Sequence, residues 1–219
     1  EAIDEVAATP PERLSDEALS ALVRCVGAPA KAVQLRAADA LAAIARAGDE
    51  RPAEILRAAL SDTNRRIRWG AAFALSRIGG EAFGIDAIDA IAEALGDRDS
   101  DVRWAAAELI GRLCLGHPDE IRARLLKLCA DADPNARRMA LYCIRDVGCC
   151  GDDVTAAIER TLSDENRFVR LAAVAALSRI ADAEGKAATI LGASSDSDPD
   201  AGVRRAAQSA LEKLGSRQP

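Results

Sequence analysis

The sequence IRWGAAFALSRIG at Ile67–Gly79 is echoed by VRWAAAELIGRLC at Val102–Cys114, and each copy contains one of the two Trp residues of the chain. Four further segments share the pattern of an apolar residue, a polar residue, an Ala-rich middle and a late Ile, Leu or Val. They begin at Val33, Ala136, Val169 and Val203. Successive segments start 33 to 35 residues apart. A fixed period of this size predicts a solenoid, because so short a unit cannot bury its own apolar face.

Each repeat contains two amphipathic stretches separated by a polar turn. The aligned segment is the second stretch, and a stretch such as PAEILRAAL (residues 52–60) precedes it. An Asp lies in the turn, six residues before the Arg of the second stretch, and Asp favours turns and helix N-termini. The turn residues are Asp62, Asp97, Asp131, Asp164 and Asp198, and the Arg residues are Arg68, Arg103, Arg137, Arg170 and Arg204. We therefore expect each repeat to be a pair of helices, called the first and the second helix below.

The pattern D-x-x-x-x-V-R-x-A-A-x-A-L-x-x-I-G resembles that of HEAT repeats, in particular the phycobilisome-lyase type of HEAT-like repeat. The resemblance covers residues 12–215. It implies an all-α fold, a right-handed α-solenoid of about six helix pairs. It also implies that each turn Asp and second-helix Arg belong to a structural ladder that joins successive repeats.

The predicted single domain, residues 1–219, divides into six repeats. Their ranges are 12–46, 50–79, 83–114, 118–148, 152–181 and 183–215. The first repeat departs from the pattern, with Gln34 in place of the Arg and Ala28 in place of the Asp. Such a departure is typical of a terminal repeat, and it also leaves open that a further unit precedes this one.

Aromatic residues fall on one side of the second helices. With the first apolar residue as position 0, positions 0, 4, 7, 8 and 11 cluster on the core side at about 100° per residue, and positions 2, 6 and 9 lie opposite. The outward positions carry Trp69, Phe73, Trp104, Tyr142 and Leu171. By resemblance to HEAT-like solenoids, second helices line the concave face, so these side chains predict a binding surface in the groove. The alternative is that position 2 is partly buried against the neighbouring repeat, with Trp filling a gap.

The second helices are also rich in Arg. Residues 33–46, 66–79, 101–114, 135–148, 167–180 and 201–214 together hold 16 of the 29 basic residues and 5 of the 35 acidic ones. Outside the predicted ladder, Arg77, Arg112, Arg138, Arg145 and Arg179 belong to this set. Arg beside aromatic residues is typical of protein interfaces, so we predict a protein or peptide partner, and the Arg set suits an acidic one. Single-stranded nucleic acid would use the same side chains, but the net charge of −6 makes it the less favoured partner.

The sequence carries little that catalysis or metal binding needs. His117 is the single His, and no Gly-rich phosphate loop or nucleophile motif occurs. The di-iron deoxyhypusine hydroxylases, which share HEAT-like repeats, need several His-Glu pairs. Cys114, Cys129, Cys143, Cys149 and Cys150 lie near one another in sequence but form no C-x-x-C pair. We predict a non-enzymatic scaffold or adaptor without cofactor or metal; a bilin-lyase-like subunit is a further alternative, after the name of the repeat type.

The given sequence shows no targeting signal, and it leaves open whether a targeting segment preceded Glu1. The sequence has no run of about 18 apolar residues, so we expect no transmembrane helix, and its first residues lack the pattern of a signal peptide. Six Cys in a chain of 219 residues do not form the framework of a small disulfide-bonded protein. These features predict a cytoplasmic protein with reduced thiols.

Overall fold

The computed structural model describes residues 3, 5, 9–10, 13–79, 83–180 and 185–215, and all regular structure in this part of the chain is helical. From residue 13 onward, twelve α-helices follow one another in six pairs within these described residues. They are α1 Asp16–Val26 with α2 Lys31–Arg46, α3 Arg51–Ala59 with α4 Arg65–Ile78, α5 Ile88–Ala94 with α6 Ser100–Cys114, α7 Pro118–Leu128 with α8 Pro134–Val147, α9 Asp152–Thr161 with α10 Arg167–Ile180, and α11 Lys186–Ser197 with α12 Ala201–Gly215. A 3₁₀ turn, Ile85–Ala87, precedes α5.

Each predicted repeat range contains one of these pairs. The predicted repeat ends at residues 12, 181 and 183 lie outside the described residues. The helices cluster into two compact units, residues 1–91 and 92–219, with the boundary inside α5. A single continuous domain therefore stays a prediction, and each unit is described by itself.

Two acidic or amide side chains, two residues apart, start each second helix from α4 onward. In the turn before α6, Asp97 accepts a hydrogen bond from the backbone N–H of Asp99 at 2.8 Å, and Asp99 accepts one from the N–H of Asp101 at 2.9 Å. The same two steps recur before the other four helices, through the pairs Asp62 and Asn64, Asp131 and Asp133, Asp164 and Asn166, and Asp198 and Asp200. The repeated Asp is thus a turn residue, and the helix N-cap is the side chain two residues later.

The first unit packs α1 to α4 around a core of Leu and Ala side chains. Leu19, Leu41, Leu56 and Leu75 are fully buried there. Helices α1 and α4 approach each other so closely that a Cβ at Gly70 would overlap the backbone carbonyl of Val26. Gly replaces the usual Ala of the repeat pattern at this position because no side chain fits.

The second unit stacks its second helices side by side. Helix α6 packs against α8, α8 against α10 and α10 against α12, while α7, α9 and α11 each pack against the second helix of their own pair. The fully buried side chains include Ile110, Leu125, Met139, Ile144 and Leu177. Small Ala residues between them let the helices lie close together.

The predicted fold class, an all-α solenoid of helix pairs, is confirmed by this architecture. The handedness of the solenoid stays a prediction. None of the described helices is long and apolar enough to span a membrane.

Candidate functional site

The two Trp residues occupy equivalent sequence positions but different environments. Trp104 is 51% exposed, whereas Trp69 is 9% exposed. Trp69 lies 5.9 Å from Phe73, centroid to centroid, and Phe73 packs against the core of the first unit. The expectation that Trp69 is an exposed anchor is therefore wrong, because it packs with an aromatic neighbour one turn along its own helix. The alternative, in which the Trp at position 2 is a packing residue, describes Trp69.

Trp104 belongs to an aromatic stack in the second unit. Its ring is stacked on Tyr142 of α8, with centroids 5.6 Å apart and an interplanar angle of 13°. The guanidinium carbon of Arg145 lies 5.0 Å from the centroid of the Tyr142 ring. Arg145 is held there by Asp146, whose carboxylate accepts a hydrogen bond from Nε at 2.7 Å, and this bond raises the pKa of Arg145. The packing of α6 beside α8 brings the stack together.

A cleft of about 670 Å³ opens beside Trp104. It is lined by Trp104, Ala107, Glu108, Gly111, Cys114, Leu115, Pro118, Cys143, Asp146 and Val147, and we call it the α6–α8 cleft. Trp104, Glu108 and Gly111 follow the spacing of one helix face. A Cβ at Gly111 would meet no atom within 4 Å, so the cleft is open above this residue. The helical periodicity predicted this face, whereas the wall made by Leu115, just after the end of α6, and Pro118, the first residue of α7, was missed.

A smaller cleft of about 310 Å³ lies between α10 and α12. Leu171, Ala175 and Ser178 line it from α10, and they occupy the outward positions 2, 6 and 9. Lys213 is the charged residue of its lining. The predicted outward positions 2, 6 and 9 therefore line this cleft as well as the α6–α8 cleft.

Arg145 of the predicted Arg set lies beside the α6–α8 cleft, where it pairs with Asp146, but the lining itself contains neither Arg nor Lys. Arg77, in the first unit, forms an ion pair with Asp39. Arg138 donates to Asn135 at 3.2 Å, while Arg112 and Arg179 are exposed. Because the charged groups of the lining are Glu108 and Asp146, the expected basic surface is corrected to an acidic one at this cleft.

The Arg and Asp of the predicted ladder make two kinds of contact. Within a repeat, Nη1 of the Arg donates to the carbonyl oxygen of the turn Asp, as Arg170 does to Asp164 at 2.8 Å. Arg68, Arg103, Arg137 and Arg204 donate in the same way at 2.6 to 2.8 Å. These bonds tie the start of each second helix to the turn before it.

Between repeats, the Arg pairs with the Asp of the next turn. Arg137 donates to Asp164 at 2.6 and 2.9 Å, and Arg170 donates to Asp198 at 2.9 and 3.2 Å. Burial opposes ionisation of Asp164, but hydrogen bonds from Arg137 and from a backbone N–H lower the pKa of its carboxyl group below the ordinary value. Arg103 differs, because its Nε is buried without a hydrogen-bond partner.

The thiols near the cleft are poor nucleophiles. Cys129 and Cys143 are buried, and burial raises the pKa of each to about 12. Burial also raises the pKa of Cys114, which lines the cleft. No group of three or more His, Cys, Asp or Glu side chains that could hold a metal ion occurs among the residues that the structure describes.

Comparisons with known proteins agree with this architecture. The family model for HEAT repeats matches residues 56–123 and 122–212. The crystal structure of Cex1p is similar with a TM-score of 0.66 at 16% identity, over 98% of this chain and 44% of Cex1p. The archaeal HEAT-like repeats protein from Thermococcus onnurineus NA1 is similar with a TM-score of 0.51 at 17% identity, over 98% of this chain and 92% of that one.

A designed armadillo repeat protein in complex with the peptide (KR)4 is similar with a TM-score of 0.51 at 18% identity, over 97% of this chain and 98% of the designed one. A search of curated proteins found no match. At these identities the solved structures establish the fold alone. Since the family model spans well over half of the sequence, the chain belongs to the HEAT repeat family.

Proposed function

We propose that the protein is a non-enzymatic scaffold or adaptor that binds a segment of another protein in the α6–α8 cleft. The observation that carries the proposal is Trp104, a large apolar side chain that is half exposed at the edge of an open cleft. Exposed Trp side chains at the rim of a pocket are typical anchors of protein interfaces. Tyr142 fixes the Trp104 ring by stacking, so little conformational entropy remains to be lost on binding.

The chemistry of the lining favours binding over catalysis. Its thiols, Cys114 and Cys143, have raised pKa values and are therefore protonated at neutral pH. His117, the single His, is the N-cap residue of α7 and is not among the residues that line the cleft. Burial, and then the neighbouring carboxylate of Asp146, raise the pKa of Cys143, so its surroundings do not activate this thiol as covalent catalysis requires.

A protein segment suits the cleft better than a nucleic acid does. Glu108 and Asp146 would repel phosphate groups, and the lining offers no Arg or Lys to bind them. One neighbour of the same fold class, the designed armadillo repeat protein, was solved with a peptide. The bilin-lyase-like alternative, drawn from the phycobilisome-lyase type of repeat, rests on the repeat pattern alone.

Selection from a random peptide library tests the proposal. The library is panned on the immobilised protein, and enriched peptides are then measured on Trp104→Ala and on Gly111→Leu, which fills the cleft. Gly192→Leu in α11 is the matched control, because a Cβ there also meets no atom within 4 Å. We expect binding to fall by about 30-fold on Trp104→Ala, the effect of losing an interface anchor, and to be unchanged on Gly192→Leu.

Two results would contradict the proposal. One is a set of enriched peptides that bind both cleft variants as well as they bind the unmodified protein. The other is a protein that enriches no peptide but binds single-stranded DNA through Trp104.

A further inference from the structure

Resting on the proposed function, we infer that the partner segment places an Arg side chain in the α6–α8 cleft. Its guanidinium group stacks on the open face of Trp104 and pairs with the carboxylate of Glu108. An apolar residue beside that Arg fills the remainder of the cleft.

The Trp104 ring offers a face to a planar cation. Stacking on Tyr142 covers one face of the ring, yet Trp104 as a whole is 51% exposed. The negative face of an aromatic ring attracts cations, and Trp attracts them best. The stack already contains such a pair, since Arg145 lies over Tyr142. A second guanidinium on Trp104 would repeat this contact on the outside of the stack.

The carboxylate of Glu108 supplies the charge. Glu108 lies one helical turn after Trp104 on the same face, and its side chain is exposed. Within the described part of the chain no ion pair engages Glu108. Asp146, the other carboxylate of the lining, is paired with Arg145. The charge left unpaired in the cleft is therefore negative, and it calls for a cation.

Arg fits this arrangement better than Lys does. Its planar group can lie flat on Trp104 and direct N–H donors sideways to the oxygens of Glu108 in the same position. A Lys ammonium is a compact, strongly hydrated charge, and stacking it on the ring costs more hydration.

The rest of the cleft is apolar and open. Ala107 and Val147 line it, and Leu115 is 90% exposed at its edge. Gly111 leaves space for a side chain of the partner above α6. A volume of about 670 Å³ holds more than a single Arg side chain. The occupant is therefore an extended protein segment in which an apolar residue accompanies the Arg, and the acidic partner expected from sequence is replaced by a basic one.

The two Trp residues make a direct test by NMR. Each indole N–H gives one signal in a nitrogen–proton correlation spectrum, and Trp104→Phe identifies the signal of Trp104. Acetylated, amidated Gly-Ser peptides with a central Arg-Leu, citrulline-Leu or Glu-Leu are titrated into the full chain. Citrulline has the shape of Arg without its charge. We expect the Arg-Leu peptide to shift the Trp104 signal saturably while the Trp69 signal stays, with the citrulline peptide about tenfold weaker.

Variants separate the two contacts. Glu108→Gln should weaken the Arg-Leu peptide about threefold and leave the citrulline peptide unchanged. Gly111→Leu should abolish the shift, and Gly192→Leu should leave it intact. Equal affinity for the Arg and citrulline peptides, or tighter binding of the Glu-Leu peptide or of oligothymidylate, would overturn the inference. If library-selected acidic or purely apolar peptides bind through Trp104, the proposed function stands and this inference falls. If no peptide binds through Trp104, both fall.

Discussion

The ion pair between Arg170 and Asp198 should contribute more to the free energy of unfolding than Arg103 and Asp131, the equivalent residues two repeats earlier. Both side chains are buried, at 9% and 5% exposure, and two hydrogen bonds join them. Arg170→Met keeps the aliphatic part of the side chain but leaves the Asp198 carboxylate without its counter-charge. Removing one partner of a buried pair costs about 3–5 kcal/mol. The bonds from Arg170 to the carbonyl oxygens of Asp164 and Glu165 are lost as well, which adds about 1–3 kcal/mol.

Arg103 is the matched control for this prediction. It makes the same bonds within its own turn, to the carbonyl oxygens of Asp97 at 2.7 Å and Arg98 at 3.0 Å, but its Nε has no partner. Asp131, the turn residue of the next repeat, is exposed. Arg103→Met should therefore cost about 1–3 kcal/mol, the value of the two backbone bonds.

A pair of double-mutant cycles measures the difference. Arg170→Met is combined with Asp198→Asn, and Arg103→Met with Asp131→Asn, with all variants followed by urea unfolding and circular dichroism. All four residues lie in the second compact unit, so each cycle reports on the same cooperative structure. We expect a coupling free energy of about 1–3 kcal/mol for the first pair and close to zero for the second. Equal coupling free energies for the two pairs would refute the reasoning. The buried ion pair of Arg170 with Asp198 would then add no stability beyond the bonds to backbone carbonyls that both Arg residues make.

Three further predictions follow from burial, space and charge. Trp69→Ala should lower the free energy of unfolding by about 3–5 kcal/mol and Trp104→Ala by about 0.5–1.5 kcal/mol; equal losses in urea unfolding would contradict their different exposure. Gly70→Ala should lower the melting temperature, because its overlap with backbone costs about 1–3 kcal/mol, whereas Gly111→Ala should raise it through about 0.5–1 kcal/mol of helix propensity; the same sign for both would argue against the packing described. Hydrogen bonding lowers the pKa of Asp164 in the folded state. The stabilisation that its carboxylate gives the fold is therefore complete above the unfolded pKa near 3.9 and is lost as pH falls through the lower folded value. Asp164→Asn should make the free energy of unfolding less dependent on pH in this acid range, and an unchanged pH dependence would show that this carboxylate does not contribute.

The repeats were predictable from sequence because their constraints are local. An Asp six residues before an Arg closes one turn of chain, and that bond forms within the repeat whatever the neighbouring repeat does. The turn before α8, from Asp131 to Arg137, needs no information from elsewhere in the chain. The N-caps could also have been predicted, since Asp or Asn stands two residues after each turn Asp, as Asp133 does.

The contacts between repeats were harder to predict because they depend on distances that periodicity does not contain. At the same repeat position, Arg137 donates a hydrogen bond from Nε to Asp164 of the next turn, while the Nε of Arg103 has no hydrogen-bond partner. The wall of the α6–α8 cleft is a further case, since Leu115 lies in a loop where no helical period applies. The acidic character of the cleft was also missed. The count of Arg residues covered all sides of the second helices, whereas only one side of each helix faces the cleft.

The different environments of the two Trp residues can be traced to the residue one turn later in each helix. Position 2 gives both the same angle around the helix, so the angle alone cannot separate them. Trp69 is followed four residues later by Phe73, and the two rings pack against each other while Phe73 also packs against the core of the first unit. Trp104 is followed by Glu108, whose charge keeps that face in water. Glu108 therefore links the exposure of Trp104 to the acidic character of its cleft, and in the proposed complex a partner that binds the ring also meets this carboxylate.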